Sequence, residues 1–163
     1  MEFFIYNTMS KKKEVFKSIE KGKVSIYTCG PTVYDFSHIG NFRTFIFEDL
    51  LKRWLLHIGH DVTHVMNITD VDDKTIKKSI SLKIGLEEVT KKYISEFMSD
   101  ISWLDLHPAD YFPRATDHIP DMISMINNLI ENKMAYVGED GSVYFDISSF
   151  KDYGKLANIK VTL

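Results

Sequence analysis

The sequence predicts an α/β fold in which parallel strands alternate with helices. Two β-rich segments, 24–30 and 61–69, are separated by a long apolar segment with helical spacing, and further helical segments follow. Strands that alternate with helices imply parallel pairing. A doubly wound fold has two βαβ halves, whereas about one can be counted here. We therefore expect the first half of such a fold.

Composition and charge set the limits for the function. The chain has 163 residues, of which 44% are hydrophobic and 26% charged, as in an ordinary globular domain. A single cysteine cannot build an intrachain disulfide framework, so a reducing cytoplasm is expected. No apolar run approaches the length of a membrane span. The net charge of −3 argues against a small, self-sufficient nucleic-acid binder, and we expect neither membrane nor DNA as a partner.

The first long helix is predicted over residues 41–59. Asn41 is a good N-cap for it, and Gly59 is a good helix stop. Its apolar face is wide, which predicts burial over much of its circumference. The residues expected in the core are Phe42, Phe45, Ile46, Phe47, Leu50 and Trp54.

Shorter elements surround this helix. A short edge strand is predicted over 3–8, a short helix within 70–85, and longer helices over 86–104 and 117–132. Pro120 is compatible with the last helix because it lies in the first turn. A β-hairpin is predicted over 135–147, with its turn between Gly138 and Gly141. The hairpin interrupts the alternation and suggests an inserted or second unit.

The turn between the first core strand and the long helix is the strongest candidate for a site. Ligands of open α/β sheets bind beyond the carboxyl ends of the strands, and helix N-termini favour phosphate. Gly40 permits close approach to the backbone, and His38 can donate to a phosphate oxygen. Neither a G-x-G-x-x-G motif nor a Walker loop is present. From the residues alone, a loop histidine without a role remains an equal alternative.

Three separated motifs, the first of which contains this candidate site, together resemble a known family. They are "CGPTVYDFSHIGN" with "FRTFIFEDLLKRWL", then "VMNITDVDDKTIKK", then "PRATDHIP". In this order the chain resembles the cysteinyl-tRNA synthetases, a family of class I aminoacyl-tRNA synthetases, over essentially its whole length. The resemblance implies that residues 1–133 form the first half of a Rossmann-type, nucleotide-binding catalytic domain. It also implies that residues 134–163 begin an inserted connective segment.

The resemblance implies a binding site for L-cysteine. Cys29 matches the family's zinc ligand at the floor of the amino-acid pocket, and Gly30 and Thr69 match positions around the bound cysteine. Zinc is borderline soft and binds thiolate strongly, so the metal would discriminate cysteine from serine. The cofactor implied is Zn²⁺.

The resemblance also implies a site for ATP with Mg²⁺. Residues 38–41 match the family's HIGH signature, which stabilises the ATP phosphates. Its first and last residues, His38 and Asn41, are the catalytic candidates. Asparagine stands where the signature has its second histidine, and it can still donate from its side-chain amide. The ATP-binding candidates are Pro31, Thr32, Val33, Tyr34, Asp35, Phe36, Ser37, His38, Ile39, Gly40 and Asn41.

The function implied is that of a cysteine–tRNA ligase, which forms cysteinyl-adenylate and passes the cysteinyl group to tRNA(Cys). A cysteine ligase that acts on an amino sugar would use the same first half-reaction and is an alternative. A non-catalytic nucleotide-binding paralogue is another. The remaining zinc ligands and the KMSKS loop are expected beyond Leu163, and we expect residues 1–163 alone to be inactive.

Other clusters are interpreted structurally. His57, His60 and His64 cross a helix end and a strand, so their rings need not converge on a metal. Asp70, Asp72 and Asp73 lack the Gly and Glu of an EF-hand, and N-capping of the next helix is favoured. The lysines are interpreted as solvated helix or loop faces. They are Lys11, Lys12, Lys13, Lys77 and Lys78.

Overall fold

A computed structural model describes residues 2–159. Contacts divide the chain into two units, Ser18–His118 on one hand and Met1–Lys17 with Ile119–Leu163 on the other. In chain order the strands and helices are β1 (Phe4–Asn7), β2 (Lys12–Val15), β3 (Lys23–Thr28), α1 (Ile39–His57), β4 (Asp61–Met66), α2 (Asp73–Leu82), α3 (Leu86–Trp103), α4 (Ile119–Glu131), β5 (Ala135–Val137) and β6 (Val143–Phe145).

Parallel pairing in the unit Ser18–His118 confirms the predicted fold class. Strands β3 and β4 pair from Lys23 opposite Asp61 to Thr28 opposite Met66. The long crossover between them contains α1, as parallel strands require. The two strands begin and end close to their predicted bounds.

The core of this unit lies between the strands and two helices. It is formed by Val33, Phe42, Phe45, Met66, Ile68, Val89, Tyr93, Phe97, Ile101 and Ala109. The residues from α3 recur at helical spacing, so one stripe of that helix faces the core. Phe45 and Phe97 meet edge-on, with ring centroids 5.2 Å apart.

The predicted burial of α1 is correct for one face and wrong for another. Phe42 and Phe45 are buried and Trp54 is half-buried, whereas Ile46, Phe47 and Leu50 are exposed. Helical spacing places Phe42 and Phe45 with buried Asp49 and Lys52 on the face toward β4 and α3. The three exposed residues lie on another face, which the described residues leave open to solvent.

Polar contacts fix both ends of the short helix α2. Asp72 is its N-cap, since the carboxylate accepts from the N–H groups of Lys74 and Thr75 at 2.6 and 3.3 Å. This confirms the capping interpretation for Asp72. Asp70 is held apart from it, because its carboxylate accepts from the N–H and hydroxyl of Thr116. Lys83 ends the helix in the left-handed conformation.

The three histidines do not form a metal site. His57 lies in the last turn of α1, where the helix dipole favours a basic group. His64 is buried in β4 with its Nε2 2.9 Å from the Thr28 hydroxyl. Within residues 2–159, no group of three or more His, Cys, Asp or Glu side chains is arranged to hold a metal ion.

The other unit contains two antiparallel pairs. Strand β1 pairs with β2, so the predicted edge strand belongs to a sheet of its own. Lys12 and Lys13 lie in β2, and their assignment to a helix or loop face was wrong, although both are exposed as expected. The hairpin of β5 and β6 confirms the prediction, with Gly141 at φ +79° in its turn. The proposed boundary between residues 133 and 134 stays a prediction.

Helix α4 also agrees with its prediction from the sequence. A 3₁₀ turn over Ala115–His118 precedes α4, and Pro120 is the second residue of α4. In that position its missing N–H leaves no helical bond unmade. None of the helices in the described part of the chain is long and apolar enough to span a membrane.

A pair of phenylalanine substitutions tests the two faces. Phe97 is 2% exposed and Phe47 is 64% exposed. We expect Phe97→Ala to lower the free energy of unfolding by about 3–5 kcal/mol, because the cavity adds to the lost transfer energy. Phe47→Ala should change it by less than about 0.5 kcal/mol. Urea unfolding measures both, and equal losses would contradict the assignment of the α1 faces.

Candidate functional site

A cavity of about 330 Å³ opens where β3 ends and α1 begins. This is the position at which open α/β sheets bind ligands. The residues that line it are Cys29, Gly30, Pro31, Thr32, Tyr34, Asp35, Phe36, Ser37, His38, Asn41, Thr44, Phe45 and Lys74. The cavity therefore unites the predicted cysteine and the predicted histidine.

Four of the predicted site residues do not line this cavity. Val33 is buried in the core, and Ile39 points to solvent. Gly40 faces the ring of His38. Thr69 lies beside the cavity wall rather than in it, and its hydroxyl accepts from the amide of Asn67 at 3.1 Å.

Backbone pairing continues beyond β3 and β4 and aligns the two loops that follow them. The N–H of Thr69 donates to the carbonyl of Pro31 at 3.0 Å, and the N–H of Val33 donates to the carbonyl of Thr69 at 3.1 Å. The segment after Cys29 is thereby held against the segment after Met66. Thr69 reaches the site through its backbone.

Gly30 is required by this close approach. A Cβ at this position would lie 1.9 Å from the carbonyl oxygen of Asn67. The N–H of Gly30 donates to the side-chain oxygen of the same residue at 3.2 Å. Close packing thus explains the glycine at position 30 on structural grounds, in addition to its predicted contact with the substrate L-cysteine.

Cys29 has an exposed free thiol at the first position after β3. Zinc sites in proteins normally use three or four protein ligands. No three-ligand cluster occurs within residues 2–159, so the donor set of the described chain does not fit a zinc site by itself. Cys29 supplies one candidate sulfur ligand.

His38 is the N-cap of α1, which corrects the prediction that Asn41 is. The N–H of Gly40 donates to Nδ1 of His38 at 3.1 Å, and the N–H of His38 donates to Oδ1 of Asn41 at 3.0 Å. This is a capping box in which the histidine ring takes the place of a hydroxyl or carboxylate. A Cβ on Gly40 would lie 2.9 Å from Cε1 of His38, so the glycine is what lets the ring approach.

The capping box determines which atoms of the two side chains remain available. An Nδ1 that accepts a hydrogen bond carries no proton, so neutral His38 carries its proton on Nε2. Asn41 uses its oxygen within the box and keeps its amide hydrogens. Both residues line the cavity and are exposed, so each offers one donor to a ligand.

The loop that leads to His38 is anchored on α2 and α3. Lys78 lies 3.1 Å from the carboxylate of Asp35, and the ring of Phe36 meets that of Tyr93 edge-on at 5.3 Å. The hydrogen bond from Lys78 lowers the pKa of Asp35, and the same bond raises the pKa of Lys78. The interpretation of Lys78 as a purely solvated lysine was wrong.

A half-buried carboxylate lies beside the last residue of β3. Glu48 on α1 forms a hydrogen bond with Thr28, while its Oε2 is buried without a partner among residues 2–159. Burial raises the pKa of Glu48. Thr28 also contacts His64, whose pKa is lowered first by burial and then by the charge of Lys52.

Comparison with known proteins identifies the fold family. The pattern described as "tRNA synthetases class I (C) catalytic domain" matches residues 15–162. The chain belongs to this family. Its Rossmann-type α/β fold is therefore the fold of a class I synthetase catalytic domain, as the motifs predict.

Individual relatives agree with the family. The chain is 52% identical to a "Cysteine--tRNA ligase" of Chlamydia felis, over 97% of this chain and 33% of the relative. It is 52% identical to one of Chlamydia trachomatis serovar D over 99% of the chain and 34% of the relative. It is 50% identical to one of Protochlamydia amoebophila over 95% and 32%. The chain thus spans about a third of the length of these curated relatives.

Two polar lining residues were not predicted from the sequence. Thr44 follows Asn41 by three positions, so helical spacing alone places it on the same face. Lys74 lies in the first turn of α2, which follows β4 in the sequence. It lies within the "DVDDK" motif, but nothing in the spacing shows that this residue reaches the cavity.

Replacement of Glu48 by glutamine should stabilise the folded protein relative to the unaltered chain, and by more at higher pH. A raised pKa means that the folded protein favours the protonated carboxyl of Glu48. The stability that the protonated carboxyl contributes is fully present below the ordinary pKa near 4.5, and it is lost as pH rises through the raised pKa. Glu48→Gln removes the ionised state. We expect its melting temperature to exceed that of the unaltered chain by more at pH 7 than at pH 4.

The matched control is Glu139→Gln, because Glu139 is exposed in the hairpin turn. It should change the melting temperature little at either pH. Thermal unfolding followed by circular dichroism measures all three proteins. A Glu48→Gln variant that melts below the unaltered chain at pH 7 would show that the ionised carboxylate is favourable where it lies.

Proposed function

We propose that this chain forms the ATP- and cysteine-binding part of a cysteine–tRNA ligase. The observation that carries the proposal is a cavity at the ends of parallel strands that is lined by both Cys29 and His38. The names of the relatives support the same activity. The substrates are L-cysteine, ATP with Mg²⁺ and tRNA(Cys), and the protein works in the cytoplasm.

The first half-reaction joins cysteine to AMP. A carboxylate oxygen of cysteine attacks the α-phosphorus of ATP, and the bond from that phosphorus to the bridging oxygen breaks. Cysteinyl-adenylate forms, and pyrophosphate leaves with the bond electrons and Mg²⁺. No protein nucleophile is needed, so catalysis depends on alignment and on donors that face the developing charge.

His38 and Asn41 are the catalytic residues in this proposal. Nε2 of His38 and the amide of Asn41 donate to phosphate oxygens, while their other polar atoms hold the turn of α1 in place. Donors fixed in this way need no rearrangement during the reaction. The loop from Pro31 to Ser37 forms the ATP-facing wall, and Cys29 and Gly30 form the cysteine end. Thr69 supports both through its backbone bonds to Pro31 and Val33.

The second half-reaction transfers cysteine to tRNA. A hydroxyl of the terminal ribose attacks the carbonyl carbon of the adenylate. The bond from that carbon to the phosphate oxygen breaks, and AMP leaves with the bond electrons and takes up the hydroxyl proton. We propose that Cys29 contributes one thiolate to a zinc site in an enzyme of the relatives' length. The metal would supply a ligand position for the substrate's sulfur, which oxygen fills less well.

A full-length chimaera tests this function. Residues 1–163 replace the matching third of the Chlamydia felis relative, and cysteine-dependent exchange between ATP and pyrophosphate is measured. We expect exchange, followed by transfer of cysteine to tRNA(Cys). Exchange without transfer to tRNA would favour another acceptor, such as an amino sugar, and absence of exchange would refute the proposal. Residues 1–163 alone should give no sustained exchange.

In this chimaera, His38→Ala should lower the turnover number of exchange on the order of 10²-fold, as expected for the loss of one preorganised donor. The KM for cysteine should stay unchanged. His38→Asn keeps an N-cap acceptor but loses Nε2, so it separates catalysis from helix capping. His57→Ala, at the exposed end of the same helix, is the control. Normal turnover with a raised KM for cysteine would contradict the assigned role.

Cys29→Ser should reduce the zinc content of the chimaera, because a serine hydroxyl binds zinc far more weakly than thiolate does. Zinc per chain is measured by atomic emission after dialysis. Ser25→Ala, at an exposed position of β3, is the control. Equal zinc content in Cys29→Ser and the unaltered protein would exclude Cys29 as a ligand.

A further inference from the structure

The first turn of α1 leaves few backbone donors for an anion. The N–H of Gly40 donates to Nδ1 of His38, and the N–H groups of Asn41 and Phe42 donate to the His38 carbonyl at 2.8 and 3.2 Å. A helix N-terminus binds phosphate through such N–H groups when they are unused. Here they are used, so the positive charge for a phosphate must come mainly from side chains.

One lysine meets this need. Among the described residues that line the cavity, Lys74 is the one with a lysine or arginine side chain. Its ammonium lies 5.2 Å from the centroid of the Tyr34 ring, and Tyr34 lines the same cavity. The ring attracts the cation without neutralising it, because the contact involves no opposite formal charge.

Lys74 differs in this respect from the lysine one helical turn further along α2. Lys78 is paired with the carboxylate of Asp35 at 3.1 Å. None of the ion pairs described within residues 2–159 includes Lys74. Asp35, which also lines the cavity, is thus balanced by Lys78, and the charge of Lys74 remains available.

The backbone at Lys74 is held independently of its side chain. Its N–H donates to the carboxylate of Asp72 at 2.6 Å, so the N-cap fixes where the side chain leaves α2. Across the cavity, His38 and Asn41 present their donors from the first turn of α1. A phosphate between the two helices would contact a cation on one side and neutral donors on the other.

We infer that Lys74 binds a phosphate group of a substrate in this cavity. The inference rests on the proposed function, which supplies two sources of phosphate, the triphosphate of ATP and the acceptor end of tRNA. Lysine acts on phosphate as a point charge. Lys74 is a binding residue in this assignment, distinct from the anchoring role of Lys78.

The test measures binding by the 163-residue chain itself. Isothermal titration and amide chemical shifts follow MgATP, tripolyphosphate, adenosine and a short RNA that ends in CCA. We expect Lys74→Ala to weaken binding of MgATP or of the RNA about tenfold, as for one charge-assisted contact. Adenosine binding should not change, and Lys74→Arg should recover most of the loss.

The control is Lys77→Ala, because Lys77 is exposed on the same helix and does not line the cavity. A loss with MgATP and tripolyphosphate assigns the contact to ATP, and a loss with RNA alone assigns it to tRNA. Equal affinities of Lys74→Ala and Lys77→Ala for every phosphate probe would overturn the inference, as would no phosphate binding by the unaltered chain. The proposed function fails separately, if the chimaera shows no exchange.

Discussion

Backbone hydrogen bonds between β3 and β4 continue past the ends of both strands, and the candidate site depends on this continuation. The parallel register ends with Thr28 opposite Met66, and the bonds between Pro31, Val33 and Thr69 extend it. Two loops that are far apart in sequence are therefore held side by side. The absence of a Cβ at Gly30 permits this, since a side chain there would overlap the Asn67 carbonyl.

The turn into α1 converts this backbone frame into a chemical site. The side chains of His38 and Asn41 accept hydrogen bonds from backbone N–H groups of the turn, and each side chain keeps one donor group for the cavity. A residue that both caps a helix and faces a ligand is oriented by the cap before the ligand arrives. The same arrangement uses the helix's own N–H groups, which is why a lysine from another helix becomes important for an anion.

The sequence predicts much of this architecture because motifs and periodicity are local. Strands β3 and β4, helices α1 to α4 and the hairpin follow from apolar spacing, turn residues and N-cap residues. The cavity between Cys29 and His38 follows from the motif that contains both. The N-cap was misassigned because Asn41 has the higher intrinsic preference, whereas a histidine ring beside glycine can make the same bond.

The features that the sequence did not predict depend on distant contacts. Spacing shows that α1 is apolar over a wide arc, but only the positions of β4 and α3 decide that Phe45 is covered and Leu50 is not. Lys74 and Lys78 belong to one lysine-rich helix, and pattern alone treats them alike. Their different roles arise because Asp35 pairs with one and Tyr34 lies beneath the other.

We propose that one cavity at the strand ends receives both halves of cysteinyl-adenylate. The most direct test is an amide chemical-shift map of the ¹⁵N-labelled chain with a non-hydrolysable sulfamoyl analogue of that adenylate. We expect the largest shifts at Cys29, Gly30, residues 32–41 and Lys74. Shifts confined to α4 and the hairpin of β5 and β6, with the strand-end loop unchanged, would contradict it.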